Sequence, residues 1–567
     1  MGRKRKERTS ITGTAGGGCV RVALGSDHAG LELKNKILAF LKKKHETRDY
    51  GTHGADSVDY PDYALRACEA VVSGAADAGI LVCGTGVGMS VAANKIKGVR
   101  AALCASSETA KQSREHIDAN VLVLASSVKK PEKIVGVFLS TPFSRAERHV
   151  RRLCKVAELE TPSRISSLRA REVLDSRGTP TVEAEAWAGQ WRALALAPSG
   201  ASTGAHEALE LRDGGRRYFG KGVAKAVRNV NTIISPSLHG KNVNARALDS
   251  IMLSVDGTPN KQRLGANATT ASSMALWRLQ SLVEGKALYA LLGDGRNMPC
   301  PAANLINGGM HAGNDLDFQE YLVLPVGAKT FAEATEIVSE TYHSLKKILE
   351  KKYGKSATNV GDEGGFAPPL KDAELPLELI SKALEEAGHA KKAKLGLDCA
   401  STRLLKGKAY VVEGKKYAPG ALVDYYSSLA KTFPLVYLED PFAEDAFGDF
   451  ASVTKTLGSR VSIVGDDLLV TNAARIKTAI ACGACNALLL KPNQIGTVSE
   501  ALEAARLAKE AGWKVVVSHR SGETDDSFIS DLAVGIGAEY AKIGAPARGE
   551  RTSKYNRLLR IEDGLRG

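Results

Sequence analysis

Two rhythms of apolar and polar residues divide the chain. Between residues 20 and 158, short apolar runs (VRVALGS, AGILVCG, RAALCAS and NVLVLAS) alternate with stretches of helical periodicity. Such runs, bounded by small and turn-forming residues, read as strands. Strands alternating with helices predict an α/β unit on a mostly parallel sheet. Residues 164–296 carry TPTVEAEAWAG and helix-like stretches, an α+β pattern. From 297 to 567 apolar strands recur, several closing on a polar residue. These are LGLDC (Asp398), LVYLED (Glu439), SIVGDD (Asp466), ALLLK (Lys491), KVVVSH (His519) and EYAK (Lys542). A spacing of roughly 25 to 40 residues holds a strand, a loop and a covering helix, the rhythm of a β/α barrel with reactive groups at its C-terminal strand ends. Residues 1–19 form a basic tail ending in TGTAGGG, a flexible linker composition. TPSR at 161–164 marks the boundary between the two rhythms.

The strand ALLL ends on Lys491, and a buried lysine is costly unless something uses it. Any one polar strand end could be a surface accident, but six at barrel spacing point to a site. Asp398, Glu439 and Asp466 come from successive strands. Three converging carboxylates repel unless a cation holds them, and hard oxygen donors favour Mg²⁺. A lysine beside a divalent ion and a second lysine is expected to lose its proton near neutral pH and act as a base. Metal plus lysine base is a means of taking a proton next to a carboxylate, with the metal stabilising the enediolate.

Bulk properties narrow the setting. The 567 residues leave room for several domains. No apolar run approaches the roughly 18 residues of a membrane-spanning helix. MGRKRKERTS has no apolar stretch behind it, which argues against a secretory signal. Nine scattered cysteines suggest no disulfide framework, so a reducing, cytoplasmic setting is expected. Cys482 and Cys485 form a lone CxxC without the partners of a zinc site. The net charge of +14 is uneven: residues 1–160 carry 26 lysines and arginines against 17 acidic residues, the remainder 51 against 46. The basic tail reads as a solvated arm rather than a nucleic-acid contact. A basic balance also suits phosphate-bearing substrates.

Residues 164–567 resemble the enolase (phosphopyruvate hydratase) family. The resemblance rests on DSRGTPTVE (175–183), PSGASTGAHEALELRD (198–213), NGGMHAGN (307–314), QEY (319–321) and VGDEGGFAP (360–368). LEDPFAED (438–445), VGDDL (464–468), LLLKPNQIG (488–496) and SHRSGET (518–524) complete it. Lysine base and divalent ion are the established logic of enolase-superfamily sites. The resemblance implies that Lys491 takes the C2 proton of 2-phosphoglycerate. Glu363 would protonate the departing C3 hydroxyl, with Glu320 assisting. Asp398, Glu439 and Asp466 would hold one Mg²⁺, and Ser202 would help bind a second. Arg520 and Ser521 would bind phosphate, while His311, His519 and Lys542 contact substrate. Met310, ASTR (400–403) and EDAF (444–447) depart from the usual pattern but remove no residue with an assigned role.

In the first unit, VALGSDHAG (22–30) sets Asp27 and His28 at a strand end. LVCGTGVGMSVAANK (81–95) runs a strand into Cys83, then Gly84, Gly86 and Gly88, then a helix. Such a turn points backbone N–H groups into an anion-binding concavity. It lacks the dinucleotide-binding spacing, and alone it could be an ordinary packed turn. Cys83 beside a helix N-terminus is expected to have a lowered pKa. His116 and the cationic RHVRR (148–152) complete a set suited to proton shuttling on a sugar phosphate, although RHVRR alone could be a solvated helix face.

Residues 20–158 resemble the B-type ribose-5-phosphate isomerase family, which includes galactose-6-phosphate isomerase subunits. SDHAG, DYPDYA (59–64), CGTGVG, AANK and RHVRR carry the likeness. It implies a three-layer Rossmann-like domain. Cys83 would move the proton between C1 and C2, and His116 would open the ring of ribose 5-phosphate. Asp27, His28, Tyr60 and Thr85 would line the site. The backbone of Gly84, Thr85, Gly86, Val87 and Gly88 would hold the enediolate, and Arg148 and Arg152 the phosphate. Ile117 stands where the family has Asn, and an apolar side chain cannot replace the amide's hydrogen bonds. The alternative is therefore an enolase carrying a degenerate or different-substrate sugar-phosphate module. Both families form dimers, so a homo-oligomer is expected.

Overall fold

In the computed structural model, residues 18–160, 163–200 and 204–566 are described. The chain divides into two compact units, 1–162 and 163–567.

The first unit is built on five strands, all parallel. Their spatial order is Glu46–Asp49, Arg21–Ser26, Ala78–Cys83, Val121–Ala125 and Ala101–Leu103. The four apolar runs are four of these strands. The fifth, ETRD, has no apolar residue and lies at an edge, so hydrophobic pattern could not reveal it. Alternation along Arg21–Ser26 sends Val22 and Leu24 to one face and Ala23 to the other. Helices Leu31–Leu41 and Pro131–Ser140 cover the first face, and Tyr60–Val72 and Val87–Ala93 the second. The central strand Ala78–Cys83 is buried along its whole length, as a doubly covered strand must be. The chain builds outward on one side of Arg21–Ser26, then crosses to the other at Ala78–Cys83. That switch opens a crevice at the carboxyl ends of these two strands.

The second unit opens with an antiparallel meander, Ser167–Leu174, Pro180–Ala188 and Trp191–Leu196. Helix Ala266–Glu284, mostly buried, packs against it. A nine-stranded sheet then closes into a barrel. The last strand, Tyr540–Lys542, pairs with Cys300–Pro301, and the chain resumes at Ala303–Asn307 after Ala302. The Ala302 N–H donates to Ala541 O at 2.9 Å, so the closing stave is continuous but for one residue. Leu322, Tyr437, Val464, Leu489 and Val516 cluster with Tyr540, from alternate positions of the barrel strands.

One strand runs against the others. Glu320–Leu324 is antiparallel to both neighbours, with Glu320 opposite Asp398 and Asn307. Its first residue therefore stands at the rim where the other strands end.

Arg278 of the buried helix holds Asp526 of the barrel bidentately, at 2.6 and 2.7 Å, and Asp526 also accepts the Leu196 N–H at 3.0 Å. Burial alone would raise the Asp526 carboxyl. Arg278 and the N–H groups of Phe528 and Leu196 outweigh it and hold it below its ordinary value. The stability this adds is present above the usual carboxylate range and is lost as pH falls through the lowered value. Asp526→Ala is expected to destabilise the second unit by about 3 kcal/mol, the cost of stranding a buried partner, read from chemical denaturation at neutral pH.

Candidate active site

The six polar strand ends converge on one rim. A single cleft is lined by His311, Gln319, Glu320, Glu363, Asp398, Asp466, Lys491, Ser518, His519, Arg520, Ser521 and Lys542. Lys542 Nζ lies 3.0 Å from Asp398 Oδ2, 2.7 Å from Glu439 Oε1 and 3.2 Å from Glu320 Oε1. Lys491 Nζ donates to Asp466 Oδ2 at 2.6 Å, and Gln494 Nε2 donates to Asp466 Oδ1 at 2.8 Å. On the Glu363 side, Asn304 Nδ2 donates to Oε2 at 3.0 Å and His519 Nε2 approaches the same oxygen at 3.3 Å. His311 Nδ1 lies 3.4 Å from Glu363 and 3.6 Å from Glu320.

Burial and charge separate the two glutamates. Burial and the neighbouring Glu363 raise Glu320 well above the usual carboxylate range. Burial would raise Glu363 too, but His519, His311 and Arg551 hold it well below. The pair's proton therefore rests on Glu320, and Glu363 is ionised. Burial and Asp398 push Glu439 up to about 8. Burial alone would lower Lys542, yet its three carboxylates raise it well above its ordinary value. Lys491 is expected to lose its proton readily beside a divalent ion; the chain's own groups, without the ion, hold that proton on balance. Burial and Arg520 lower its pKa, but Asp466 outweighs them and leaves it raised.

Arg520 is buried, and its guanidinium is gripped by Glu207 at 2.9 and 3.2 Å and by Asn493 at 3.3 Å. It borders a second cavity of about 370 Å³, shared with Pro198, Glu207, Glu210 and Asn267. Ser202 lies outside the described residues.

In the first unit the switch-point crevice gathers one group of the expected residues. Asp27 Oδ1 accepts the Gly30 N–H at 2.8 Å. His28 Nδ1 accepts the Val58 N–H at 3.2 Å, which leaves Nε2 as the protonated nitrogen of the neutral ring. Cys83 is buried at its strand end. Gly86 has φ +79°, and a Cβ there would meet Leu103 Cδ1 at 2.4 Å, so only glycine makes this turn. Tyr60 packs over Gly88. His116 and the arginines lie on other helices. His116 packs against His149 with ring centroids 4.5 Å apart and the rings tilted by 46°, and Arg148 Nε donates to His149 Nε2 at 3.1 Å. Among the described residues no hydrogen bond or ion pair joins this second group to Cys83. Ile117 is 46% exposed at the helix end beside it.

Residues 165–292 and 296–567 match the family models "Enolase, N-terminal domain" and "Enolase, C-terminal TIM barrel domain". The enolase of Thermococcus kodakarensis is 54% identical over 417 residues, covering 72% of this chain and 97% of that protein. The enolase of Pyrococcus furiosus is 53% identical over 416 residues, with the same shares. The chain belongs to the enolase family. Beyond the part shared with these enolases, residues 22–156 match the "Ribose/Galactose Isomerase" model. The enolase of Methanocaldococcus jannaschii, 52% identical over 405 residues, likewise covers 71% of this chain and 95% of itself.

Several residues of this enolase site escaped sequence reasoning. Gln494 sits one helical turn beyond Lys491, and the motif KPNQIG carried that signal. Asp440 follows Glu439 and accepts the N–H groups of Asp466 and Asp467 at 2.9 and 2.8 Å, holding the two strand ends together. Glu207 lies within the quoted PSGASTGAHEALELRD stretch but was given no role there, and Arg551 comes from a distant segment that no quoted motif marks.

The donor set fits a hard divalent cation. Asp398, Glu439 and Asp466 offer only carboxylate oxygens, while the carboxylates within 4.8 Å of one another are those of Asp440, Asp466 and Asp467, which share only Asp466 with that set. Glu439, near 8, shows the shortage of positive charge that such an ion would fill. Binding at pH 7 must then displace protons. Calorimetry of Mg²⁺ binding in two buffers of different ionisation enthalpy is expected to show net proton release at pH 7. The release should vanish above pH 9 and diminish in Glu439→Gln.

Proposed function

We propose that this chain is a bifunctional carbohydrate enzyme. The barrel dehydrates 2-phosphoglycerate to phosphoenolpyruvate, and the first unit interconverts ribose 5-phosphate and ribulose 5-phosphate. The domains in this reading are 20–158, 164–296 and 297–567, with 1–19 a basic tail.

The observation that carries the first activity is the placement of Lys491 and the Glu320–Glu363 pair in one cleft, with opposite proton affinities in the pair. Lys491 Nζ takes the C2 proton. The C3–O bond breaks, C2 and C3 become doubly bonded, and the leaving oxygen departs as water with a proton from the Glu363 side. Glu320 is the proton store of that pair. Arg520 and Ser521 hold the phosphate, so Glu207 yields its place on Arg520 when substrate binds. His311, His519 and Lys542 line the remaining substrate contacts. Two Mg²⁺ ions complete the site, one on Asp398, Glu439 and Asp466 and one aided by Ser202. When bound, they neutralise the carboxylates, relax the hold of Asp466 on Lys491 and stabilise charge developing on the substrate carboxylate.

For the first unit, Cys83 moves the proton between C1 and C2, and His116 opens the ring. Asp27, His28, Tyr60 and Thr85 line the crevice, the Gly84–Gly88 backbone holds the enediolate, and Arg148 and Arg152 take the phosphate. Among the described residues no hydrogen bond or ion pair joins His116 to Cys83, and this supports a homo-oligomer in which a second copy completes the site. The exposed Val87, Val91 and Ile117 support the same reading. Ile117 also supports a rival reading, a module that binds a different sugar phosphate or none productively.

Lys491→Ala should lower dehydration of 2-phosphoglycerate by about 10²–10⁴-fold, the worth of a general base. In the same preparation, ribose 5-phosphate isomerisation should be present and lost in Cys83→Ala. Isomerisation absent from an intact, dehydrating chain would favour the rival. Survival of dehydration in the lysine variant would overturn the barrel assignment. Among the described residues no helix is long and apolar enough to cross a membrane, and the cysteines are unpaired. Both fit a cytoplasmic enzyme.

A further inference from the structure

Arg551 lies on the last helix, Gly549–Arg566, remote in sequence from the strand ends it supports. Its side chain is wholly buried. Nη1 is 2.6 Å from Arg520 O and 2.6 Å from His519 Nδ1. Nη2 donates to Asp362 O at 2.9 Å and to Ser521 O at 2.7 Å. Arg551 Nε is 3.6 Å from Glu550 Oε1, and neither atom has an aligned partner. A buried guanidinium without a hydrogen-bonded carboxylate is an expensive brace for packing alone. Here it grips the two loops that carry Glu363 and His519–Ser521. Gly544 makes room for it: a Cβ there would come 2.8 Å from Arg551 Cδ.

We infer that Arg551 is a positioning residue that fixes the tautomer and aim of His519, and through it the proton traffic at Glu363. A guanidinium has only donors. His519 Nδ1 must therefore present its lone pair to Arg551, and the hydrogen of the neutral ring sits on Nε2. That nitrogen is buried and lies 3.3 Å from Glu363 Oε2, off the line of a hydrogen bond, so a small change of ring aim makes or breaks the contact. Burial and Arg551 together press the imidazole toward its neutral form, with Glu363 and Glu523 opposing, and its pKa falls to about 4. Without Arg551 the hydrogen is free to move to Nδ1. Two lone pairs would then face each other across the Glu363 contact, and Glu363 would lose part of its support. This mirrors the way a buried partner on one ring nitrogen decides the chemistry of the other.

The inference rests on the proposed reaction, in which Lys491 acts at C2 and Glu363 at C3. Those two events can be read separately. Solvent deuterium exchange at C2 of 2-phosphoglycerate reports on Lys491, and phosphoenolpyruvate formation reports on the C3 side as well. Arg551→Met is expected to lower phosphoenolpyruvate formation on the order of 10²-fold while C2 exchange stays within about tenfold, as loss of aim at one group should. Arg551→Lys, which restores a donor to Nδ1, should recover part of the dehydration. Parallel loss of both signals in a folded variant, or no loss, overturns the inference. ¹⁵N-histidine spectra of the intact wild-type chain, with His519 assigned through His519→Gln, provide a reading that needs no arginine variant. A hydrogen on Nε2 is expected, and a hydrogen on Nδ1 overturns the inference. A wild-type chain without dehydration would sink the proposed reaction, and the tautomer would still decide the role of Arg551.

Discussion

The Lys542 ammonium is the shared counter-charge on which the barrel rim depends. It touches Asp398, Glu439 and Glu320, from three different strands, in a place with almost no water. Carboxylates so close and so buried repel strongly, and each would take up a proton or move apart without a cation between them. Lys491 does the same for Asp466. Even so, positive charge falls short, and Glu439 and Glu320 hold their protons more tightly than exposed acids do. A rim left in this condition is prepared for a cation.

Much of this was legible because strand ends are a local property. LGLDC, LVYLED and SIVGDD each declare a buried run and the polar residue that closes it. Periodicity places such residues at one barrel rim without any long-range information. Glu320 escaped that logic because its strand runs backwards, so it opens the strand rather than closing it. Only the QEY motif, through family resemblance, marked it. Arg551 escaped both. It sits on a helix whose buried face mixes charged and apolar residues, and its value comes from carbonyls and a histidine assembled 30 residues and more away in sequence.

The first unit shows the same division. Four apolar runs became four strands, and the polar edge strand ETRD stayed hidden because an edge needs no apolar residues. Asp27, His28 and Cys83 were readable as strand ends and meet at the switch point. His116 and the arginine cluster were readable as chemistry, but their position relative to Cys83 depends on packing that no motif encodes. The tilted contact of His116 with His149, whose Nε2 accepts from Arg148, appears only in three dimensions.

The reversed strand Glu320–Leu324 has a consequence for how this barrel can vary. Along the parallel staves, the loop after each strand faces the rim and the loop before it faces the floor. At the reversed stave these sides are exchanged. The connection 308–319, which precedes the strand, belongs to the rim and carries His311 and Gln319. The connection that follows Leu324 leads down to helix Phe331–Tyr353. Loops borrowed from an all-parallel barrel would therefore arrive on the wrong side here. The reversed stave thus restricts which loops this barrel can accept at that position.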